Sequence, residues 1–234
     1  MMFKTIKLTF ALLVLVCCQV AFADIVISPP GLNIGDQYRL VFVTSGTRDA
    51  LSSDIAVYNS FVTAQANQNA VLSALNTTWT VIGSTATVDA RDNTGTNFNT
   101  SVGVPIYNLQ GQLNATSNAD LWDGTLVSPI RFNQVGVEDF ATVFTGTSTD
   151  GVKFDFYGLR YLGSPSASVG GTSSGTIASG WVSQFSLEND QQHSFYAMSS
   201  VLTVTAVPEP GSLILVAVCL CTGAWGRLRR KKNS

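Results

Sequence analysis

The polar and hydrophobic positions fall into three regimes along the chain. "GDQYRLVFVTS" (Gly35 to Ser45) alternates, with Tyr38, Leu40 and Phe42 on one face, and its β-branched and aromatic content predicts a strand. The period then lengthens. In "SSDIAVYNSFVTAQANQNAVLSAL", Ile55, Tyr58, Val62 and Ala66 share one helical face, with Ser52 or Ser53 as cap and Asp54 in the first turn. Strand character returns in "TTWTVIGST" (Thr77 to Thr85), in a short strand and turn over Val102 to Leu113, and in "FYAMSSVLTVTA" (Phe195 to Ala206), with "VDARDNTGTN" (Val88 to Asn97) as a polar loop. One early helix among short strands and long loops predicts an α+β domain.

Both ends depart from this pattern. The N-terminus has Lys4 and Lys7, an apolar run from Leu8 to Val16, and Ala21-Phe22-Ala23, which predicts a signal peptide over residues 1–23 cleaved between Ala23 and Asp24. At the C-terminus, Gly211 to Gly226 carries no charge and falls just short of the roughly 17–25 residues that span a bilayer. Arg227, Arg229, Arg230, Lys231 and Lys232 follow, a cluster that stays on the cytoplasmic side and leaves the domain outside. The expected organisation is therefore a signal peptide, an exported domain over 24–206 and a tail over 207–234, with an apolar helix at each end of the chain.

Composition changes once the ends are set aside. Of 13 basic residues, two lie in the leader and five in the tail; of 15 acidic residues, only Glu209 lies in either. Six basic and 14 acidic side chains remain, so the exported part carries about −8, which argues against nucleic acid and other dense polyanions as partners. All four cysteines, Cys17, Cys18, Cys219 and Cys221, lie in the two ends. The exported domain is cysteine-free and is held by core packing alone.

The tail, "VPEP" (Val207, Pro208, Glu209, Pro210) followed by the apolar segment and "RLRRKK", resembles the PEP-CTERM sorting signal of bacteria. The resemblance implies recognition by a membrane-embedded exosortase, loss of the apolar tail, and release or attachment at the cell surface, in bacteria that make exopolysaccharide. Signal peptidase and exosortase are the partners it implies during export, with the membrane met transiently or through the tail. The two prolines keep the motif extended and unable to donate backbone hydrogen bonds. A simple retained tail anchor is the alternative.

The order of motifs in the exported part resembles the endostatin domain, a C-type-lectin-like fold. It is carried by "RLVFVTS", the early helix, "VPIYNL" (Val104 to Leu109), "LWDG" (Leu121 to Gly124), "VFTGTSTDG" (Val143 to Gly151), Trp181 and the final "YAMSSVLTV". The disulfide cysteines, the N-terminal histidine zinc site and the arginine-rich face of that family are absent here, so the resemblance implies architecture and not activity.

His193 is the lone histidine, which leaves no partner for a histidine-based catalytic dyad or zinc site. Carboxylates are the remaining acid–base groups: Asp120 and Asp123 flank Trp122, and Glu138 and Asp139 are adjacent. A carboxylate pair beside an aromatic ring suits a glycosidase and equally a loop with turn-capping aspartates; the expected role is non-catalytic. Trp122, with Asp120 and Asp123, is the candidate ligand contact, a ring that could stack on a sugar if exposed, although large aromatics are usually core. Asp89, Asp92 and Asn93 form a candidate calcium loop, with calcium the one candidate ion and no organic cofactor expected. The expected function is contact with exopolysaccharide or a matrix protein, with a structural matrix component lacking a specific ligand, or a carbohydrate-active enzyme, as alternatives.

Overall fold

The structure, a computed structural model, describes residues 25–155, 159–165 and 167–205. The expected terminal helices, the cleavage site at Ala23 and Asp24, the motif Val207 to Pro210 and the basic tail lie outside the described residues. The described chain up to Val204 belongs to one compact unit. It is a mixed α/β fold with a mostly sheet core and few helices.

The strands are β1 (Gln37–Val43), β2 (Trp79–Val81), β3 (Ile106–Asn108), β4 (Leu113–Ala115), β5 (Thr142–Phe144), β6 (Ala167–Thr172), β7 (Phe185–Glu188), β8 (Ser194–Ser199) and β9 (Leu202–Thr203). The sheet runs β4-β3-β1-β8-β5-β6-β7, with β2 added to β8 and β9 to β1. β1 lies parallel to β3 and antiparallel to β8, while β5 lies parallel to β8. The first and last long strands are thus central neighbours. Both are buried almost throughout, as strands covered on two faces must be.

The alternation in β1 sorts its side chains between two cores. Tyr38, Leu40 and Phe42 join Trp79, Phe144 and Phe195 under helix α1 (Ile55–Ala66), which contributes Tyr58, Val62 and Ala66. Val41 and Val43 join Tyr196, Met198, Trp122 and Trp181 on the opposite face, beneath loops and short turns. Each large apolar side chain buried this way contributes about 1.5–3 kcal/mol. The predicted face of α1 is the buried one, although Ile55 is only half-buried.

Three local expectations are corrected. Asp54, not Ser52 or Ser53, caps α1, accepting from the Ala56 amide at 2.9 Å; Ser52 instead accepts from the Asp54 amide at 3.1 Å. The helical pattern also breaks in two, because Asn69 accepts from the amides of Val71 and Leu72 and starts α2 (Ala70–Ala74).

The predicted final strand is interrupted as well. Val41 faces Met198 and Tyr38 faces Leu202, so Arg39 and Leu40 oppose three residues, Ser199 to Val201. This is a β-bulge. Ser199 fills it: its Oγ accepts from the Leu40 amide at 2.9 Å and its carbonyl from Arg39 Nη1 at 2.8 Å. Ser200 turns away to donate to the Thr78 carbonyl at 2.9 Å.

Candidate functional site

The segment around Trp122 begins with a one-turn helix, α4 (Asn118–Leu121), capped by Ser117, whose hydroxyl accepts from the Asp120 amide at 3.2 Å. The Asp120 carboxylate accepts from the Thr116 amide at 2.6 Å and the Thr116 hydroxyl at 2.8 Å. Asp123 accepts from the amide and hydroxyl of Thr125, both at 2.8 Å. Both aspartates therefore shape the turn that carries Trp122.

The ring itself points inward. Trp122 is 4% exposed, its indole N–H donates to Thr96 Oγ1 at 2.9 Å, and its ring lies 5.7 Å from that of Trp181. A β-carbon on Gly151 would come within 2.8 Å of the ring, so the chain closes over it. The expectation of an exposed sugar platform at Trp122, with Asp120 and Asp123, is corrected: burying two indoles against each other removes more apolar surface from water than either would as a surface residue. Trp79 and Trp181 are core residues too.

The expected calcium loop folds as a short helix, α3 (Ala90–Asn93), and its oxygens have separate partners. Asp89 accepts from the Lys153 amide at 2.8 Å, and Asp92 accepts from Asn97 Nδ2 at 2.6 Å. Asn93 donates to the Val81 carbonyl at 2.8 Å and exchanges two amide hydrogen bonds with Asn59, at 2.9 and 3.0 Å. Calcium needs six to eight converging oxygens. Asp89, Asp92 and Asn93 do not fit it, and among the described residues no three His, Cys, Asp or Glu side chains gather as metal ligands.

The other candidates are placed apart. Glu138 pairs with Arg131 at 3.0 Å across the hairpin that follows Ile130. His193 exchanges backbone hydrogen bonds with Arg48, both 3.1 Å, and its ring meets Phe144 edge-on at 4.8 Å. Partial burial holds its pKa below the ordinary histidine value. Burial also raises the Tyr58 and Tyr196 hydroxyls well above their usual range, and both donate to backbone carbonyls, Tyr58 to Ser52 and Tyr196 to Trp181.

Two polar features carry no sequence signal of their own. Gln134, fully buried, holds its Nε2 within hydrogen-bond reach of Ser45 Oγ, Gln68 Oε1 and Gln65 Oε1, among which its two hydrogens are shared, and accepts from the Ser45 amide at 3.0 Å, tying the end of β1 to the end of α1. Arg39, 8% exposed, lies on the face of β1 opposite the helix, grips the carbonyls of Ser199 and Gly95, and belongs to no ion pair among the described residues. Burial lowers its pKa.

A surface cleft lies at the β6–β7 end of the sheet, lined by Phe154, Arg160, Val169, Phe185 and neighbouring polar residues. Its parts come from separate places along the chain, Phe154, Arg160, Val169 and the run from Ser183 to Ser186, so no contiguous motif announces it.

The chain matches no known family model, and no curated protein matches it at a significant level.

Proposed function

We propose that this is an exported bacterial protein, sorted to the cell surface by a PEP-CTERM-type tail and carrying one endostatin-like, C-type-lectin-like domain with a non-catalytic role in the extracellular matrix or exopolysaccharide. One observation carries the sorting part: the three-part order of the tail, in which Val207-Pro208-Glu209-Pro210 precedes the uncharged Gly211 to Gly226 and the basic residues Arg227, Arg229, Arg230, Lys231 and Lys232, opposite a leader that ends in Ala21-Phe22-Ala23. Between the two segments, among the described residues, the Val26 amide donates to the Leu109 carbonyl and the Val204 amide to the Asp36 carbonyl, both at 2.9 Å, within one compact unit. This supports reading the two ends as routing signals attached to a folded domain.

The endostatin-like reading is supported by a central mixed sheet with the early helix on one face and a tryptophan-centred loop layer on the other. The burial of all three domain tryptophans favours the second reading, a structural or protein-contacting matrix component, over sugar recognition at Trp122.

Replacing Pro208, Glu209 and Pro210 with alanine tests the sorting reading in a host that carries an exosortase. The unaltered protein reaches the surface or the medium, and the variant stays in the cytoplasmic membrane. Equal surface delivery of the two contradicts it.

A further inference from the structure

The cleft at the β6–β7 end of the sheet is an open depression of about 390 Å³, comparable in volume with small-molecule sites. Its frame is fixed by backbone hydrogen bonds. The Phe154 amide donates to the Gly146 carbonyl at 3.0 Å, the Arg160 amide to the Phe154 carbonyl at 3.0 Å, and the Val169 amide to the Arg160 carbonyl at 2.8 Å. Val169 pairs with Ser186 across β6 and β7, and the Arg160 guanidinium donates to the Ser186 hydroxyl. Phe154 and Phe185 supply two aromatic rings, and Phe185 is 40% exposed although it belongs to a strand. Gln184 adds an exposed amide.

The cleft carries one positive side chain, Arg160. Ion pairs between described residues are Arg48–Asp49 and Arg131–Glu138, and Arg160 belongs to neither. A guanidinium offers five N–H donors in a planar fork suited to a carboxylate. The described residues that line the cleft beside Arg160 are aromatic, aliphatic or uncharged polar. That combination matches a ligand with an apolar ring face, several hydroxyls and one carboxylate.

We propose that this cleft binds a single carboxylate-bearing sugar unit, of the uronic-acid type, in a glycan. The rings of Phe154 and Phe185 cover the C–H face of the sugar, Arg160 pairs with its carboxylate, and Gln184 and Ser186 meet its hydroxyls. The acidic field of the domain opposes a dense polyanion but is screened beyond about 8 Å at physiological salt. Isolated acidic units in an otherwise neutral glycan are therefore the class that fits. The inference rests on the extracellular reading above, yet its test does not involve sorting, so either can fail alone.

The test is a ligand-observed NMR titration of the full chain in mild detergent, with methyl β-D-glucuronoside as probe. Methyl β-D-glucoside, heparin and an acetylated Phe-Glu-Phe amide are the comparisons. Saturable glucuronoside binding is expected, at least about tenfold tighter than the glucoside, and weakened by a similar factor in Arg160→Gln. Phe185→Ala weakens it several-fold, and serves alone if Arg160→Gln fails to fold. Equal binding of the neutral glucoside, no saturation, or full binding by both variants overturns the proposal. Tighter binding of the peptide assigns the cleft to an extended acidic peptide, and tighter binding of heparin assigns it to polyanions; each also overturns it.

Discussion

The indole rings of Trp122 and Trp181 lie 5.7 Å apart, centroid to centroid, inclined by 33°, in the core on the face of the sheet opposite α1. Tyr196 from the central strand β8 completes the group, 6.1 Å from Trp181 and donating to its carbonyl at 3.1 Å. A loop that reads as a ligand contact is in this way a second core, and its residues answer to the rules of packing.

Trp122→Ala is expected to destabilise the domain by about 3–5 kcal/mol, the usual cost of removing a buried aromatic. Thr96→Val removes the hydroxyl that accepts from the indole N–H and is expected to cost about 1–3 kcal/mol by leaving that donor unpaired. Urea unfolding of the two variants checks both values. A loss below about 1 kcal/mol for Trp122→Ala would mean that the ring is not core.

Gly146 has φ +63°, and a β-carbon there would lie 2.5 Å from the Leu162 amide nitrogen and 2.7 Å from the Ser84 carbonyl oxygen. Both neighbours are backbone and cannot swing aside. Gly146→Ala is expected to cost about 2–4 kcal/mol, strain and overpacking together, read as a drop in the urea midpoint.

Asn93→Ala removes the amide that joins Asn59 to the Val81 carbonyl. A loss of about 1–3 kcal/mol is expected. Millimolar calcium or excess chelator is expected to leave the melting temperature of the unaltered protein unchanged, because Asp89, Asp92 and Asn93 are turned to separate partners. A rise of several degrees with calcium would contradict this arrangement.

His193 binds a proton less readily in the folded chain than in the unfolded one, because partial burial lowers its pKa. Its contribution to stability is complete above the unfolded value of about 6.5 and declines as pH falls through that value toward the folded one. The urea midpoint is expected to drop between pH 7.5 and 5.5, and to drop less in His193→Gln. Equal drops would show that carboxylates or other groups account for the change.

The strand β1, the early helix and its buried face were legible because their alternation and 3.6-residue spacing record which side meets the core. The break after Ala66 was not, since it depends on the Asn69 side chain outcompeting continued helix. β6 was hidden for another reason. Glycine is depleted in strands, yet β6 holds Gly170 and Gly171: a β-carbon on Gly170 would lie 2.1 Å from the Val143 carbonyl oxygen, and one on Gly171 would lie 2.1 Å from the Trp181 backbone. They are glycines because the neighbouring backbone passes too close for a side chain. The candidate loops failed similarly. Acidic and amide residues in a row signal ligands only if they converge, and convergence is a property of the folded chain.

The central claim is that this domain is the exported product between two removable routing segments. The direct test is intact-mass spectrometry of the mature protein recovered from the surface or medium of a host with an exosortase. The account predicts a chain that begins at Asp24 and lacks the apolar segment Gly211 to Gly226 with everything after it. A chain that still begins at Met1, or still ends at Ser234, would contradict it.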